Sequence, residues 1–450
     1  MRRLTGFTSV VIVLMMVGLV LGACQASPAP SAAPKAEAPA KQAEAPKAEA
    51  KPAEAPKPAA PAKAEAPTTA KPAEAPKVEA KPAAKEPYKI GVDTILTGPL
   101  AFAGIEMRDA IALEAEKINA AGGLDGHPIE LIVEDDGLDP TRAATNFSKL
   151  IRQDKVLALL GPMTNILDPA TRPVAEREGI PQIAGATPNE EMRAMKFKWS
   201  FSTSPGGGIA AEAMLDIIKE KGYKKVVGIA QGDPTYLSML EKLKTDGAKD
   251  GIQVIGMTDT FTAKDVDMTA PVTKMRDLIA REKADAVTVI GTTAVAPMLK
   301  TMKQLGITLP VVGAHPMGVQ SIVDNAAGAA DGVIFPSGRI VAPEGLPDSD
   351  PQKPVILDFL KRFQAKHGKG LAAGVATGGI VDAADILFNA IKVAGPDRVK
   401  IRDAIESTKN LVGMSGTFNY KADDHEGLTK QALVVYEVKA GKFVFVKAIK

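Results

Sequence analysis

Residues 88–123 read YKIGVDTILTGPLAFAGIEMRDAIALEAEKINAAGG. The segment opens on YKIGVDTIL, residues 88–96, an apolar run typical of a buried strand. An amphipathic helix follows, because apolar side chains recur near helical spacing at Met107, Ile111, Leu113 and Ile118. Gly122 and Gly123 then favour a left-handed cap that ends this helix. The stretch therefore predicts a strand, a loop and a helix in succession.

The same alternation continues along the chain and restarts after Pro205. Further helices are predicted at 140–154, 166–179, 208–221, 236–250, 270–282, 295–305, 319–326, 353–366, 376–393 and 397–407. Short apolar strands separate them, among them PIELIVEDD, VLALLG, PQIAG, KVVGIAQ, IQVIGMTDTF, AVTVIG, PVVGA and GVIF, with GTFNY, ALVVYEV and KFVFV near the end. Such strands indicate parallel sheets covered by helices on both faces. About 360 residues exceed one usual core, so we expect an α/β protein with two doubly wound lobes.

Ligands of doubly wound sheets bind beyond the carboxyl ends of the strands. The loops at these ends are rich in Gly, Thr, Pro and Asn: TILTGPLAFAG, GPMTN, GATPN, QGDPTY, GTTA and GAHPMG. Their backbone N–H groups and short hydroxyls at helix N-termini suit a carboxylate or another small anion. Ordinary turn chemistry explains each loop alone, but six such loops on one side favour a binding cleft.

The sequence gives less support for catalysis or nucleotide binding than for a binding cleft. Residues 206–211 match G-x-G-x-x-A, which fits either a dinucleotide fingerprint or a flexible crossing between lobes that begins a helix. The chain has neither a G-x-S-x-G elbow nor a P-loop. Asp135-Asp136 and Asp423-Asp424 are interpreted as solvated acids at a strand end and in a turn. We therefore expect no catalytic residue and no cofactor.

Metal and nucleic-acid binding are also not expected. The four histidines show no metal-ligand spacing: His127, His315, His367 and His425. The net charge is only +2, and no basic stripe interleaved with aromatic residues argues for a nucleic-acid surface.

The N-terminus predicts export. Two arginines precede an uncharged, apolar segment at residues 7–23, as in a signal peptide. Residues 21–24, LGAC, match the bacterial lipobox, and Cys24 is the only cysteine in the chain. We expect cleavage after residue 23 and lipid on Cys24, with an uncleaved transmembrane anchor as the alternative.

A low-complexity segment separates this start from the folded part. From Ser27 to about Glu86 the chain is almost only Ala, Pro, Lys and Glu, and Ala-Glu-Ala-Pro recurs. Such a composition has no core to offset the entropy of ordering, and regular prolines prevent a continuous helix. We expect residues 24–87 to form a disordered linker that holds the folded part away from the lipid surface.

The residues after this linker resemble a known family. The motifs T-G-P, I-N-A-x-G-G, G-x-x-I-E-L and D-D-x-x-D-P between residues 97 and 140 are similar to the opening of type I solute-binding proteins of ABC importers. EGIPQIAGAT, residues 178–187, is similar to a second family motif. The closest group is the branched-chain amino-acid-binding (Leu/Ile/Val) family, and the resemblance covers about residues 88–450.

The resemblance implies the type I periplasmic-binding-protein fold, with two Rossmann-like lobes joined by a three-strand hinge. One lobe would be 88–204 plus 336–411, and the other 205–335 plus 412–450. Position by position, the ligand-binding residues would include Thr164, Asn165, Gly185, Ala186, Thr187, Tyr236 and Thr292. The turn Asp424-His425-Glu426-Gly427 would be a structured turn of the second lobe away from ligand.

Two positions depart from the family pattern. The family often has an aromatic residue directly before the glycine that matches Gly104, whereas here Phe102 lies one step earlier, before Ala103. Amino-acid binders place an acid, which pairs with the ligand ammonium, where this chain has His315. A buried ammonium without a carboxylate partner is costly, and a histidine donates to an oxygen instead. A carboxylate without an amine, aliphatic or aromatic, therefore competes with a hydrophobic amino acid as the ligand.

Three function classes follow. The first is a monomeric, lipid-anchored substrate-binding protein outside the cell membrane, which hands a small solute to the permease and ATPase subunits of an ABC importer. The second is a ligand-sensing partner of a membrane receptor, and the third is an exported enzyme. We expect the first, because no nucleophile, metal site or tuned carboxylate pair supports an enzyme.

Overall fold

The computed structural model describes residues 85–185, 195–257 and 259–450. The predicted signal peptide, Cys24 and the predicted linker up to residue 84 lie outside the described residues, so the predictions made on them stay predictions.

A five-stranded sheet is built from the first part of the described chain. Its strands are β1 (Tyr88–Thr94), β2 (Ile129–Asp135), β3 (Ala158–Leu160), β4 (Gln182–Ala184) and β5 (Ser200–Ser202). Their order is β2-β1-β3-β4-β5, and all the pairings are parallel. The connecting helices are α1 (Ala101–Ala120), α2 (Pro140–Arg152) and α3 (Asp168–Glu178). Helical crossovers of this kind are what parallel strands require.

Local sequence signals explain the bounds of these helices. The Asp139 carboxylate accepts the N–H of Arg142 at 2.8 Å, and Pro140 is the first residue of α2. After α1, Gly122 and Gly123 have positive φ values of 104° and 78°, which confirms the predicted left-handed turn at this end.

A seven-stranded sheet is built mainly from the middle of the chain. Its order is β14-β13-β10-β9-β8-β6-β7. The strands are β6 (Lys225–Ala230), β7 (Gln253–Gly256), β8 (Ala286–Ile290), β9 (Val311–Gly313), β10 (Ile334–Gly338), β13 (Leu433–Lys439) and β14 (Lys442–Ala448). Pairing is parallel from β7 to β10, and β13 and β14 add antiparallel strands. The helices are α4 (Gly207–Glu220), α5 (Pro234–Lys249), α6 (Thr269–Glu282), α7 (Val295–Gln304) and α8 (Gln320–Asn325).

The chain passes between the two sheet systems more than once. After β10 it forms α9 (Gln352–His367), α10 (Val375–Ala394) and α11 (Arg398–Glu406), and α10 packs against α1. A short antiparallel pair, β11 (Leu411–Val412) and β12 (Thr417–Phe418), precedes β13. Crossings therefore lie before α4, after β10 and before β13, as a three-strand connection between two lobes requires.

Two local expectations differ from the structure. The predicted strand IQVIGMTDTF is longer than β7, which pairs with β6 over Gln253–Gly256. Beyond Gly256 the next pairing is an isolated parallel bridge between Phe261 and Gln231, at the end of β6. The turn at residues 424–427, expected in the second lobe, lies against β5. There Ser202 donates its N–H to the His425 carbonyl at 2.9 Å, and the His425 ring stacks on Phe201 at 4.0 Å between centroids.

The interior strand β1 shows how the core is packed. Ile90 and Val92 are fully buried, and burying such a side chain is worth about 1.5–3 kcal/mol. Between them, a Cβ on Gly91 would lie 2.7 Å from Leu159 Cδ2 and 3.1 Å from Leu150 Cδ1, so a larger residue there would displace leucine side chains of β3 and α2. Among the described helices, none has both the length and the hydrophobicity needed to cross a bilayer.

Candidate functional site

The loops beyond the strand ends form two rims, one on each sheet. The first rim comprises residues 93–104, 135–139, 161–168 and Gly185, around the carboxyl ends of the five-stranded sheet. The second rim comprises residues 231–236, 291–294 and 314–318, at the carboxyl ends of β6, β8 and β9. These rims contain the predicted ligand-binding residues Phe102, Thr164, Asn165, Gly185, Tyr236, Thr292 and His315. Ala186 and Thr187 lie outside the described residues.

The two rims are in direct contact at Asn165. Its Nδ2 donates to Thr235 Oγ1 at 2.6 Å and, over a longer 3.4 Å, to Asp233 Oδ1. Asn165 follows β3 of the first sheet, whereas Asp233 and Thr235 begin α5 of the second. The structure therefore brings the two sheets together at the predicted cleft, and the partners Asp233 and Thr235 were not predicted from the sequence.

Thr164 offers an unpaired hydroxyl beside this contact. The residue is half-buried, and its Oγ1 is buried with no hydrogen-bond partner. Buried hydroxyls are normally hydrogen-bonded, so this one has the capacity to bind a polar group of a solute.

Tyr236 lies on the opposite rim, at the start of α5. It is half-buried and packs against the main hydrophobic core. Burial, with a further contribution from the negative charge of Asp233, raises the pKa of its phenol. A neutral hydroxyl on an apolar ring can donate one hydrogen bond to a ligand oxygen.

The hydrogen-bond donors of Thr292 are already occupied within the second rim. Its Oγ1 and its backbone N–H both donate to Gln231 Oε1, at 2.9 and 3.2 Å. The Gln231 N–H in turn donates to the Ile290 carbonyl at 2.8 Å. These bonds hold the ends of β6 and β8 together, and Thr292 shapes the rim while its donors are occupied.

His315 follows β9 and begins a short 3-10 helix, His315–Met317. Its side chain is buried, and Nδ1 has no hydrogen-bond partner. Burial lowers the pKa of the imidazole to about 4, so the ring is neutral at pH 7. The Ser337 hydroxyl donates to the His315 carbonyl at 2.9 Å, which anchors the backbone. The ring therefore offers a neutral hydrogen-bonding nitrogen and no charge.

Phe102 and Gly185 differ in exposure. The Phe102 side chain is 56 % exposed at the start of α1. Gly185 is buried at the end of β4, where an added Cβ would lie 3.4 Å from Ile380 of α10. Phe102 thus presents an open apolar surface, whereas Gly185 leaves room for a Cβ at ordinary van der Waals distance from Ile380.

Buried acids of the first rim were not expected from the sequence. Asp136 was interpreted as solvated, but it is fully buried with Oδ2 unpaired, and burial raises its pKa. Asp93 was not singled out. It is also fully buried, and burial raises its pKa to about 8 although Asn146 donates to its Oδ1 at 2.8 Å. Its place at the end of a strand whose pattern is otherwise apolar was the available signal.

Asp135 has the opposite character. Burial alone would raise the pKa of this carboxyl, but hydrogen bonds from Leu96, Thr97 and Gly137, together with Arg142, lower it to about 2. Asp135 is therefore an ionised acid at the end of a strand, and its hydrogen bonds hold the TGP loop in place.

Comparisons with known proteins agree with this architecture. A family model described as periplasmic binding protein matches residues 87–442. The chain therefore belongs to the periplasmic binding protein family, whose members are solute-binding proteins that act outside the cytoplasm and are not enzymes. The predicted family and the predicted type I fold are confirmed.

Three relatives illustrate the similarity. The leucine-, isoleucine-, valine-, threonine- and alanine-binding protein of Pseudomonas aeruginosa is 23 % identical over 363 residues, which cover 78 % of this chain and 91 % of that protein. An extracellular ligand-binding receptor from Rhodopseudomonas palustris is 27 % identical with a TM-score of 0.70, covering 80 % of this chain and 99 % of that one. The LivJ substrate-binding protein of Streptococcus pneumoniae, solved with isoleucine, is 26 % identical with a TM-score of 0.66, covering 80 % and 99 %.

Proposed function

We propose that this chain is the extracytoplasmic substrate-binding lipoprotein of an ABC importer, which captures a small solute between two closing lobes. The observation that carries the proposal is the meeting of the two rims at Asn165, beside polar atoms that have no partner within the protein. A solute bound to both rims would stabilise the closed arrangement, because closure then adds contacts that the open arrangement lacks.

From the sequence, the lobes of this clamp are 88–204 plus 336–411 and 205–335 plus 412–450. The first crossing is supported by the gap between β5, which ends at Ser202, and α4, which begins at Gly207. Because β10 runs to Gly338 in the seven-stranded sheet, the second boundary falls a few residues later than proposed from the sequence. Because the turn at residues 424–427 packs on β5, we move the third boundary to between this turn and β13.

We assign the recognition of a solute carboxylate to Thr164 and Tyr236, with Gly185, Ala186 and Thr187 as the neighbouring loop. The support is the unpaired Thr164 hydroxyl and the neutral Tyr236 phenol on opposite rims. Phe102, with its exposed ring, would cover an apolar part of the solute.

Two solute classes compete for this site. The names of the curated relatives favour a branched-chain or other hydrophobic amino acid. His315 favours an aliphatic or aromatic carboxylate without an amine, because a buried neutral imidazole does not compensate an ammonium charge. The His315 Nδ1 can instead pair with a neutral polar group or with a carboxylate oxygen, according to its tautomer.

Matched pairs of solutes separate these classes. The intact protein is screened by thermal shift with leucine against 4-methylpentanoate, isoleucine against 3-methylpentanoate, and phenylalanine against 3-phenylpropanoate. A ligand that binds only the folded state raises the Tm by mass action. A larger shift with the amine identifies an amino-acid binder, and a larger shift with the amine-free partner identifies a carboxylate binder. If no member of any pair raises the Tm, capture of a small carboxylate is refuted.

The proposal also includes lipid anchoring to the membrane. We propose that the anchored protein is a monomer. Its support is the lipobox around Cys24. Cys24→Ala removes the thiol to which lipid would be attached, so we expect the variant to leave the membrane fraction. Fractionation of cells that express the parent and the variant measures this, with Cys24→Ser as a second variant. If both variants stay with the membrane, the apolar N-terminal segment is an uncleaved anchor instead.

A further inference from the structure

Asn165 forms a bridge between the rims through its side-chain amide. Its Nδ2 lies 2.6 Å from Thr235 Oγ1 and 3.4 Å from Asp233 Oδ1. Resemblance to the family placed Asn165 among the residues that touch the solute. We infer instead that Asn165 is a positioning residue, which holds the two rims together and sets the balance between open and closed lobes. This inference rests on the proposed capture of a solute between the lobes.

The acceptors on the second rim are held in place by contacts within that rim, independently of Asn165. Asp233 is the N-cap of α5, and its Oδ1 accepts the N–H of Thr235 at 2.8 Å. Pro234 is the first residue of the helix, and its ring restricts the backbone there. The Thr235 side chain is 2 % exposed, and its Cγ2 would lie 3.4 Å from a Cβ placed on Gly207. A rigid acceptor loses little entropy when the amide binds, so the bridge is favoured.

The donor side explains why the side-chain N–H groups of Asn165 are not free for the solute. A primary amide has two N–H donors on one nitrogen, and both have acceptors on the second rim. The neighbouring Thr164 hydroxyl has no partner and lies on the same loop. Adjacent residues thus have separate tasks, with Thr164 available to the solute and Asn165 bound to the opposite rim.

The bridge has a consequence for affinity. When only the closed arrangement binds tightly, the apparent Kd equals the intrinsic Kd divided by the closed fraction. A buried hydrogen bond contributes about 1 kcal/mol, which corresponds to about fivefold in the ratio of closed to open molecules. Loss of the Asn165 bridge should therefore shift the unliganded protein toward the open arrangement.

The test measures the distance between the lobes without any ligand. Spin labels are placed at Val266 and Val393, whose side chains are 82 % and 83 % exposed, through Cys substitutions in an otherwise full-length chain that carries Cys24→Ser. Pulsed electron-electron resonance then gives the distance distribution for the parent, Asn165→Ala, Thr235→Val, Thr235→Ser and the double variant Asn165→Ala with Thr235→Val. Thr235→Val removes the acceptor at nearly constant shape, and Thr235→Ser keeps it.

We expect Asn165→Ala and Thr235→Val each to lower the ratio of closed to open molecules about fivefold, seen as growth of the longer-distance population. Thr235→Ser should match the parent, and the double variant should shift no further than either single variant. The inference is overturned if both single variants give the parent distribution, or if their effects add in the double variant. Because no solute is present, this failure differs from failure of the paired solute screen.

Discussion

The two rims use their buried polar atoms differently. In the described residues of the first rim, Thr164, Asp93, Asp136 and Asp168 each have a buried side-chain oxygen without a hydrogen-bond partner. In the second rim, Asp233, Thr235, Gln231 and Thr292 bond to one another, to their own backbone or to Asn165, and His315 Nδ1 is the unpaired buried atom among its described residues.

This difference indicates which rim has unpaired polar atoms available for a polar solute. Unpaired buried groups cost free energy, and they concentrate in the rim of the five-stranded sheet. The second rim stabilises its own shape and the contact with Asn165. A preorganised surface of this kind loses little entropy on closure. Under the proposed function, we therefore expect the first rim to supply most of the polar contacts to a solute.

Of the variants that test the difference between the two rims, Asp93→Asn in the first rim has the largest expected effect. The pKa of Asp93 in the folded protein is about 8 against an ordinary 3.8. Because the folded pKa is raised, the contribution to stability is present at low pH and is lost as the pH rises from about 4 to about 8. The parent should therefore lose about 4 kcal/mol between pH 5 and pH 8 through this group, and the Asn variant should be spared this loss. Urea unfolding at both pH values measures it; equal pH dependence would mean that Asp93 is not buried as a protonated acid.

His315→Gln makes the opposite test in the second rim. The folded pKa of His315 is about 4, below its ordinary 6.5. For a depressed histidine the stability is present above 6.5 and is lost as the pH falls toward 4. The parent should lose about 2.5 kcal/mol between pH 7.5 and pH 4.5 through this ring. The same unfolding experiment on His315→Gln should show a smaller acid loss, and an unchanged loss would place the imidazole in contact with water.

Tyr236→Phe keeps the ring against the core and removes only the hydroxyl. A hydrogen bond to a charged group is worth about 1.5–3 kcal/mol, so we expect at least tenfold weaker binding of the carboxylate that gives the larger Tm shift in the paired screen. Isothermal calorimetry measures the affinity, and the Tm without solute serves as the control for folding. If the variant binds the solute with the affinity of the parent, the Tyr236 hydroxyl does not contact the solute.

Thr164→Val has the smallest expected effect. It replaces the unpaired hydroxyl by a methyl group of similar shape, so the solute carboxylate would lose one hydrogen bond to a charged group, about 1.5 kcal/mol or about tenfold in affinity. Thr164→Ser keeps the hydroxyl and is the matched control. If Val binds the solute as tightly as Ser and the parent, the unpaired oxygen of Thr164 plays no part in recognition.

Much of the architecture was predictable because it depends on local patterns. The helix after Pro140, the glycine cap at Gly122-Gly123 and the alternation of strands with helices all follow from side-chain spacing and turn chemistry. The extent of β7 was not predictable, because β7 ends at Gly256 although β6 continues to Ala230 and the chain pairs again between Gln231 and Phe261. An interruption in the pairing of an edge strand leaves no mark in its apolar pattern.

The site was predictable only in position. The strand-end rule located Thr164, Tyr236 and His315 on two rims. Thr235, the partner of Asn165, lies 70 residues away in the sequence. No local sequence pattern predicts a hydrogen bond between residues so far apart in the chain. Asp93 likewise became significant only through its complete burial beside Asn146.

The class of fold, the strand-end loops and the expectation of an exported, lipid-bearing N-terminus all follow from the amino-acid sequence, because they depend on periodicity, composition and short motifs. The tertiary structure alone decided which polar groups are paired, which carboxyls hold a proton and where the rims touch. Those properties depend on burial and on distances between residues far apart in the chain, and neither quantity is encoded in any short stretch of it.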